Sequence, residues 1–195
     1  LAARIFSTVI QHVLDFSAVR PPGVPEDADL SHVLCGAYIE RANTYCGFLN
    51  FGEALQDVDQ AFHILHQQHQ DLSGETSQPS GATHTILLTP QFMVSQRLLE
   101  GSHAHHRRWR IHYFKAHLYY ANLLLWQERL RPQPDLTALE NAFAVIGKVT
   151  QESQRAVDAH DFTTRLFGRA AEIALVGASV PGTQRDEWLQ RASDA

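Results

Sequence analysis

Apolar positions recur at three- and four-residue spacings along almost the whole chain, the signature of amphipathic helices, and two-residue alternation is nearly absent. Ile5, Val9, Ile10, Val13 and Leu14 predict a helix over 2–18, which the Pro21, Pro22, Gly23 and Pro25 run ends. Leu34, Tyr38, Ala42, Tyr45 and Leu49 share one face of a second helix that opens near Asp29 or Ser31. Asn50 caps a third helix, with Glu53 three positions on, and that helix buries Ala54, Val58, Ala61, Phe62 and Leu65. Residues 71–88 lack periodicity and read as a flexible polar loop. Thr89 before Pro90 opens a helix carrying Phe92, Val94, Leu98 and Leu99, which stops near Gly101. A long helix covers 103–130 until Pro132 and Pro134 break it, and Asp135 caps the next one to about Thr150. Phe162, Leu166, Phe167, Ala170, Ile173 and Ala174 mark a helix over 153–177. After the turn at Val180, Pro181 and Gly182, Thr183 caps a last helix with Trp188 and Leu189. The pattern predicts an all-α fold of about eight helices.

The chain reads as one domain over 1–195. It divides into an N-terminal helix and Pro-rich turn (1–30), a helix pair (31–70), the loop (71–88), an extra helix (89–101), a second pair (103–153) and a C-terminal pair (154–195). The 195 residues are 44% hydrophobic, enough for a core, and 19% charged, too few for a disordered tail. The formal net charge of −5 disfavours nucleic acid as an obligatory partner. No apolar run reaches the ~20 residues of a membrane span, so no membrane contact is expected. Gln11, His12 and Asp15 interrupt the apolar start, which argues against a signal peptide. The chain opens on Leu1 rather than Met, which predicts a part of something longer.

Composition adds little chemistry. Cys35 and Cys46 fall on one predicted helix, ~16 Å apart at 1.5 Å per residue, too far to pair. They read as small hydrophobes of a reducing, cytoplasmic compartment. His63, His66 and His69 recur every third residue, so their rings fan out by ~60° per step, and His103, His105 and His106 have no carboxylate to complete a ligand set. No metal and no cofactor is expected. Asp57 and Asp59 point in different directions, and neither a phosphate loop nor a nucleophile elbow occurs, so the reading is not an enzyme. Arg107, Arg108 and Arg110, beside Trp109, form the one basic patch with an aromatic in it. It reads as a solvated helix face, or as a contact for phosphates or an acidic peptide.

Segments 38–45 and 112–119 both set a cation beside an alanine and a tyrosine three residues later: Arg41, Ala42 and Tyr45, then Lys115, Ala116 and Tyr119. The stretch Tyr38 to Leu65, with Arg41, Ala42, Tyr45, Ala54, Val58 and Ala61 at key positions and the Phe51-Gly52-Glu53-Ala54-Leu55 run, resembles a tetratricopeptide repeat (TPR). The resemblance implies antiparallel helix pairs stacked as a TPR-like α-solenoid. It also implies a concave groove that binds a peptide or partner helix, in a regulatory or scaffolding part of a larger protein. Carried over by position, the groove residues are Ile39, Asn43 and Cys46 in the first repeat and Arg110, Tyr113, His117 and Tyr120 in the second. Each set falls on one helix face, although Ile39 and Cys46 suit ordinary packing equally well. Glu40 stands where chaperone-binding relatives of this family carry an anion-binding Asn, which argues against capture of a C-terminal carboxylate. The alternative role is a helical ligand-sensing or nucleic-acid-contacting regulatory domain that uses the 103–110 patch.

Overall fold

The computed structural model describes residues 1–19, 28–73, 96–101, 103–156, 158–182 and 184–195. Among them are eight helices and no strand: α1 (Ala2–Ala18), α2 (Ala28–Gly47), α3 (Phe51–Ser73), α4 (Gln96–Glu100), α5 (Ala104–Leu130), α6 (Leu136–Arg155), α7 (His160–Ser179) and α8 (Arg185–Asp194). The all-α expectation therefore holds for the described residues. Of the polar loop expected over 71–88, residues 71–73 still belong to α3, and the remainder lies outside the described residues, as does the cap expected at Thr89.

Local chemistry is plain at two of the helix ends. Asp135 caps α6 as expected, its carboxylate accepting from the N–H groups of Thr137 (2.9 Å) and Ala138 (3.3 Å). That helix runs to Arg155, so residues 153–155, expected to open α7, instead close α6. α2 ends in a Schellman turn: the Asn50 N–H donates to the Tyr45 carbonyl and the Leu49 N–H to the Cys46 carbonyl. Leu49 holds the left-handed position (φ 59°) usually given to glycine and stays exposed, so it does not extend the buried face of α2. α8 begins at Arg185 with Gln184 at its cap position, beyond the expected Thr183.

Packing follows chain order. α1 packs on α2, α2 on α3, α3 on α5, α5 on α6, α6 on α7 and α7 on α8; α5 also touches α2 and α7, and α4 lies against α3, α5 and α6. α5 is the hub, buried from several sides by five helices. The core runs continuously from Ile10 through Ala42, Phe62, Trp109, Phe114, Leu125, Ile146 and Ile173 to Trp188. All five apolar residues assigned to α3 are buried. α1 contributes only Ile10 and Val13 to the buried set, leaving Ile5 and Leu14, expected on its inner face, exposed. Gly177 lets α8 close on α7, for a Cβ there would lie 2.5 Å from the Trp188 indole.

Among the described residues no helix is long and apolar enough to cross a membrane.

Candidate interaction face

The residues assigned to a groove divide sharply by environment. Ile39, Arg110, Tyr113 and His117 are buried, and no partner can reach them; Asn43 is exposed, and Cys46 and Tyr120 are half-buried. On α5 the expected stripe turns inward. Tyr113 donates through its hydroxyl to Glu152 Oε2 on α6 (2.7 Å), His117 Nδ1 lies 2.8 Å from the Tyr113 carbonyl, and the rings of His117 and Tyr120 meet Phe62 of α3. Burial and the adjacent Glu152 push the Tyr113 phenol well above its ordinary pKa, so it stays a neutral donor.

Arg110 leaves the basic patch altogether. Its guanidinium donates from one nitrogen to the carbonyls of Leu98 (2.9 Å), Leu99 (3.1 Å) and Gly101 (3.0 Å), satisfying the end of α4. Arg107 stays exposed and reaches Asp158 at 3.4 Å, and Arg108 is exposed. The patch is thus two exposed arginines beside a buried structural one.

The surface that α2, α5 and α7 present together lies about half a turn around α5 from the expected one. Lys115, Tyr119, Asn122, Trp126 and Arg129 follow one another at three- and four-residue steps on its less buried side. At ~100° per residue that stripe is displaced by roughly 200° from Tyr113, His117 and Tyr120. Interhelix contacts fix its neighbours. Lys115 Nζ donates to Glu40 Oε1 of α2 (2.7 Å), and Arg129 reaches Glu172 of α7 at 3.7 Å. Tyr119 lies within electrostatic reach of Glu40, Lys115 and Arg165, and Arg169 of Cys46, Glu172 and Arg129. Asn43, exposed between Glu40 and Cys46, belongs to the same face.

Two polar atoms here are shielded from solvent yet make no hydrogen bond: Asn122 Oδ1 and Arg169 Nε. Arg169 bonds Glu172 through a different nitrogen. Burial lowers the Arg169 pKa against the pull of Glu172, and raises that of the Cys46 thiol, which stays protonated at neutral pH. On this face Trp126 is 43% exposed, its indole under the Arg129 guanidinium at 5.5 Å.

A concavity of about 280 Å³ opens between α6, α7 and α8. Phe143, Phe167 and Ala170 supply its apolar walls, and Gln151, Gln154 and Arg191 its polar ones. The Arg191 guanidinium sits 4.6 Å from the Trp188 ring and 5.7 Å from that of Phe143. Sequence reasoning passed over this cleft, because its walls come from three helices and no short motif marks it.

Among the described residues no group of three or more His, Cys, Asp or Glu side chains converges on a point that could hold a metal ion. Compared with protein families, with curated proteins and with solved structures, the chain matches none.

Proposed function

We propose that the chain is a protein-interaction module, a TPR-like stack of helix pairs that binds an extended peptide or partner helix across the face of α2, α5 and α7. The observation that carries this reading is that face itself: three helices contribute one continuous polar and aromatic surface, with an exposed indole and with a hydrogen-bond acceptor and a donor left unmet. Native proteins leave few shielded polar atoms without partners, and a peptide backbone supplies both complements. The packing order also supports it. α2 packs on α3, α5 on α6 and α7 on α8, as successive pairs would, although α6 packs more extensively on α7 than on α5, and α5 also touches α2 and α7.

The residues that act differ from those the repeat alignment nominates. Asn43 and Cys46 remain, and Lys115, Tyr119, Asn122 and Trp126 take the place of Arg110, Tyr113, His117 and Tyr120. The role is binding rather than catalysis, in a regulatory or scaffolding context. Nucleic-acid contact through the 103–110 patch is the weaker alternative, because Arg110 is spent on α4. The test is selection of binders from a random peptide library, followed by hydrogen-exchange footprinting. Protection on α2, α5 and α7, with binding weakened by Trp126→Ala, supports the reading; protection confined to the α6–α8 cleft or to 103–110 overturns it.

A further inference from the structure

We infer that the segment bound on this face is acidic, its carboxylates meeting Arg165 and Arg169 while its backbone lies along Tyr119, Asn122 and Trp126. This rests on the proposed peptide-binding role of the face. The charges on it run against those of the whole chain. Lys115, Arg129, Arg165 and Arg169 stand against Glu40, Glu172 and, one turn before Arg165 on α7, Asp161, a surplus of one positive charge on a protein whose net charge is −5.

How the cations are used is as telling as their number. Lys115 is neutralised by Glu40, and Arg129 and Arg169 share Glu172. Arg165 is exposed, near Tyr119, and makes no ion pair among the described residues. Arg169 engages Glu172 through one nitrogen and leaves Nε unbonded but shielded, so a two-pronged carboxylate contact forms only when the side chain turns outward. A carboxylate that turned the Arg169 side chain toward itself would meet both prongs, and a second would meet Arg165 about one helical turn away. The exposed Trp126 indole gives an apolar residue of the same segment a place to rest. Opposite charge across such a contact raises the association rate and rejects basic competitors more than it adds raw affinity.

Three fluorescent peptides of equal length test this on the intact chain at low ionic strength: repeats of Leu-Glu-Ser-Asp, of Leu-Gln-Ser-Asn and of Leu-Lys-Ser-Lys, beside an oligothymidylate of similar length. The acidic peptide is expected to bind at least about tenfold more tightly than the other two peptides, and Arg165→Glu to weaken it about tenfold. Arg165 is exposed, and circular dichroism checks that its variant is folded. Equal binding of the neutral peptide, still sensitive to Trp126→Ala, or indifference of the acidic peptide to Arg165→Glu, overturns the acidic preference and leaves the peptide face standing. Binding of no peptide, or peptide binding insensitive to Trp126→Ala, overturns the peptide face and this inference with it. Oligothymidylate bound as tightly as the acidic peptide would mean the surface takes any polyanion, and would overturn the assignment to acidic protein segments.

Discussion

Two glycines on α7 show how far a single position's surroundings decide its tolerance. A methyl group at Gly177 would meet the Trp188 ring at 2.5 Å, and Trp188 is itself buried, so the indole cannot simply swing away. At Gly168, on the same helix, a Cβ meets nothing within 4 Å. Gly177→Ala is therefore expected to destabilise by ~1–3 kcal/mol through overpacking and to disturb the Trp188 fluorescence. Gly168→Ala should stabilise by up to ~1 kcal/mol, as alanine replaces glycine in a helix interior. Denaturant melts of the two variants read both values, and equal effects would mean that α8 does not dock through Gly177. A bidentate ion pair acts comparably on the other side of the molecule. Arg41 donates to both oxygens of buried Asp57 (2.7 and 2.6 Å) and to Ser7 Oγ (2.9 Å), joining α1, α2 and α3. No sequence pattern announced that partnership, because the three residues are far apart in the chain. Asp57 was legible only as an acid with no catalytic neighbour.

Among the elements, the helices were legible and their orientations only partly so. α3 has apolar residues on one side and polar ones on the other, and each of its five assigned core residues is buried. α5 is different. Packed by five neighbours, it buries Trp109, Arg110, His112, Tyr113, His117 and Glu128 as well as Leu118, Leu123 and Leu125, so polarity along its sequence does not mark an outer face. The repeat alignment then nominated the stripe containing His117, which is fully buried, as the counterpart of the one containing Asn43, which is exposed. Ala42 and Ala116, the alignment's small residues, are both buried between helices. On α2 the two readings can be separated by adjacent substitutions. Ala42→Leu should cost ~1–3 kcal/mol, because Ala42 is 2% exposed. Asn43→Leu should change stability by less than ~0.5 kcal/mol. The Asn43 change is nonetheless expected to weaken peptide binding, since it removes a polar group from the face. Equal destabilisation by both in denaturant melts would mean that α2 is turned differently on α5.

At the scale of the whole molecule, the way α2 leans on α5 ties the proposed binding face to pH. Where the two helices meet, the His112 ring of α5 stacks on His32 of α2 (centroids 4.2 Å) beside Trp109 (6.0 Å), in a notch that Gly36 keeps open. Neither His112 ring nitrogen has a hydrogen-bond partner of normal geometry. Burial, then the nearby His32 and Lys115, lower the His112 pKa from 6.5 to about 4, against a weaker opposing pull from the His32 backbone. The folded protein therefore holds His112 neutral while the unfolded chain protonates it near pH 6.5, so the unfolded state binds the extra proton. The resulting stability is complete above pH 6.5 and is lost as pH falls from there toward 4. For these two values the loss between neutral pH and pH 5 is about 2 kcal/mol. Burial lowers the His66 pKa on α3 as well, so its contribution has the same sign. His112→Phe keeps a ring in the notch and removes the titration, so the variant should lose distinctly less stability on acidification than the parent. Chemical denaturation at neutral pH and at pH 5 measures the difference. Identical acid losses in the two proteins would mean that His112 keeps its ordinary pKa and that acid acts elsewhere. A smaller loss in the variant, with peptide binding on α2, α5 and α7 also persisting at the lower pH, would trace the acid sensitivity of the face to this one ring, because Lys115 and Glu40 join the same two helices about a turn further along.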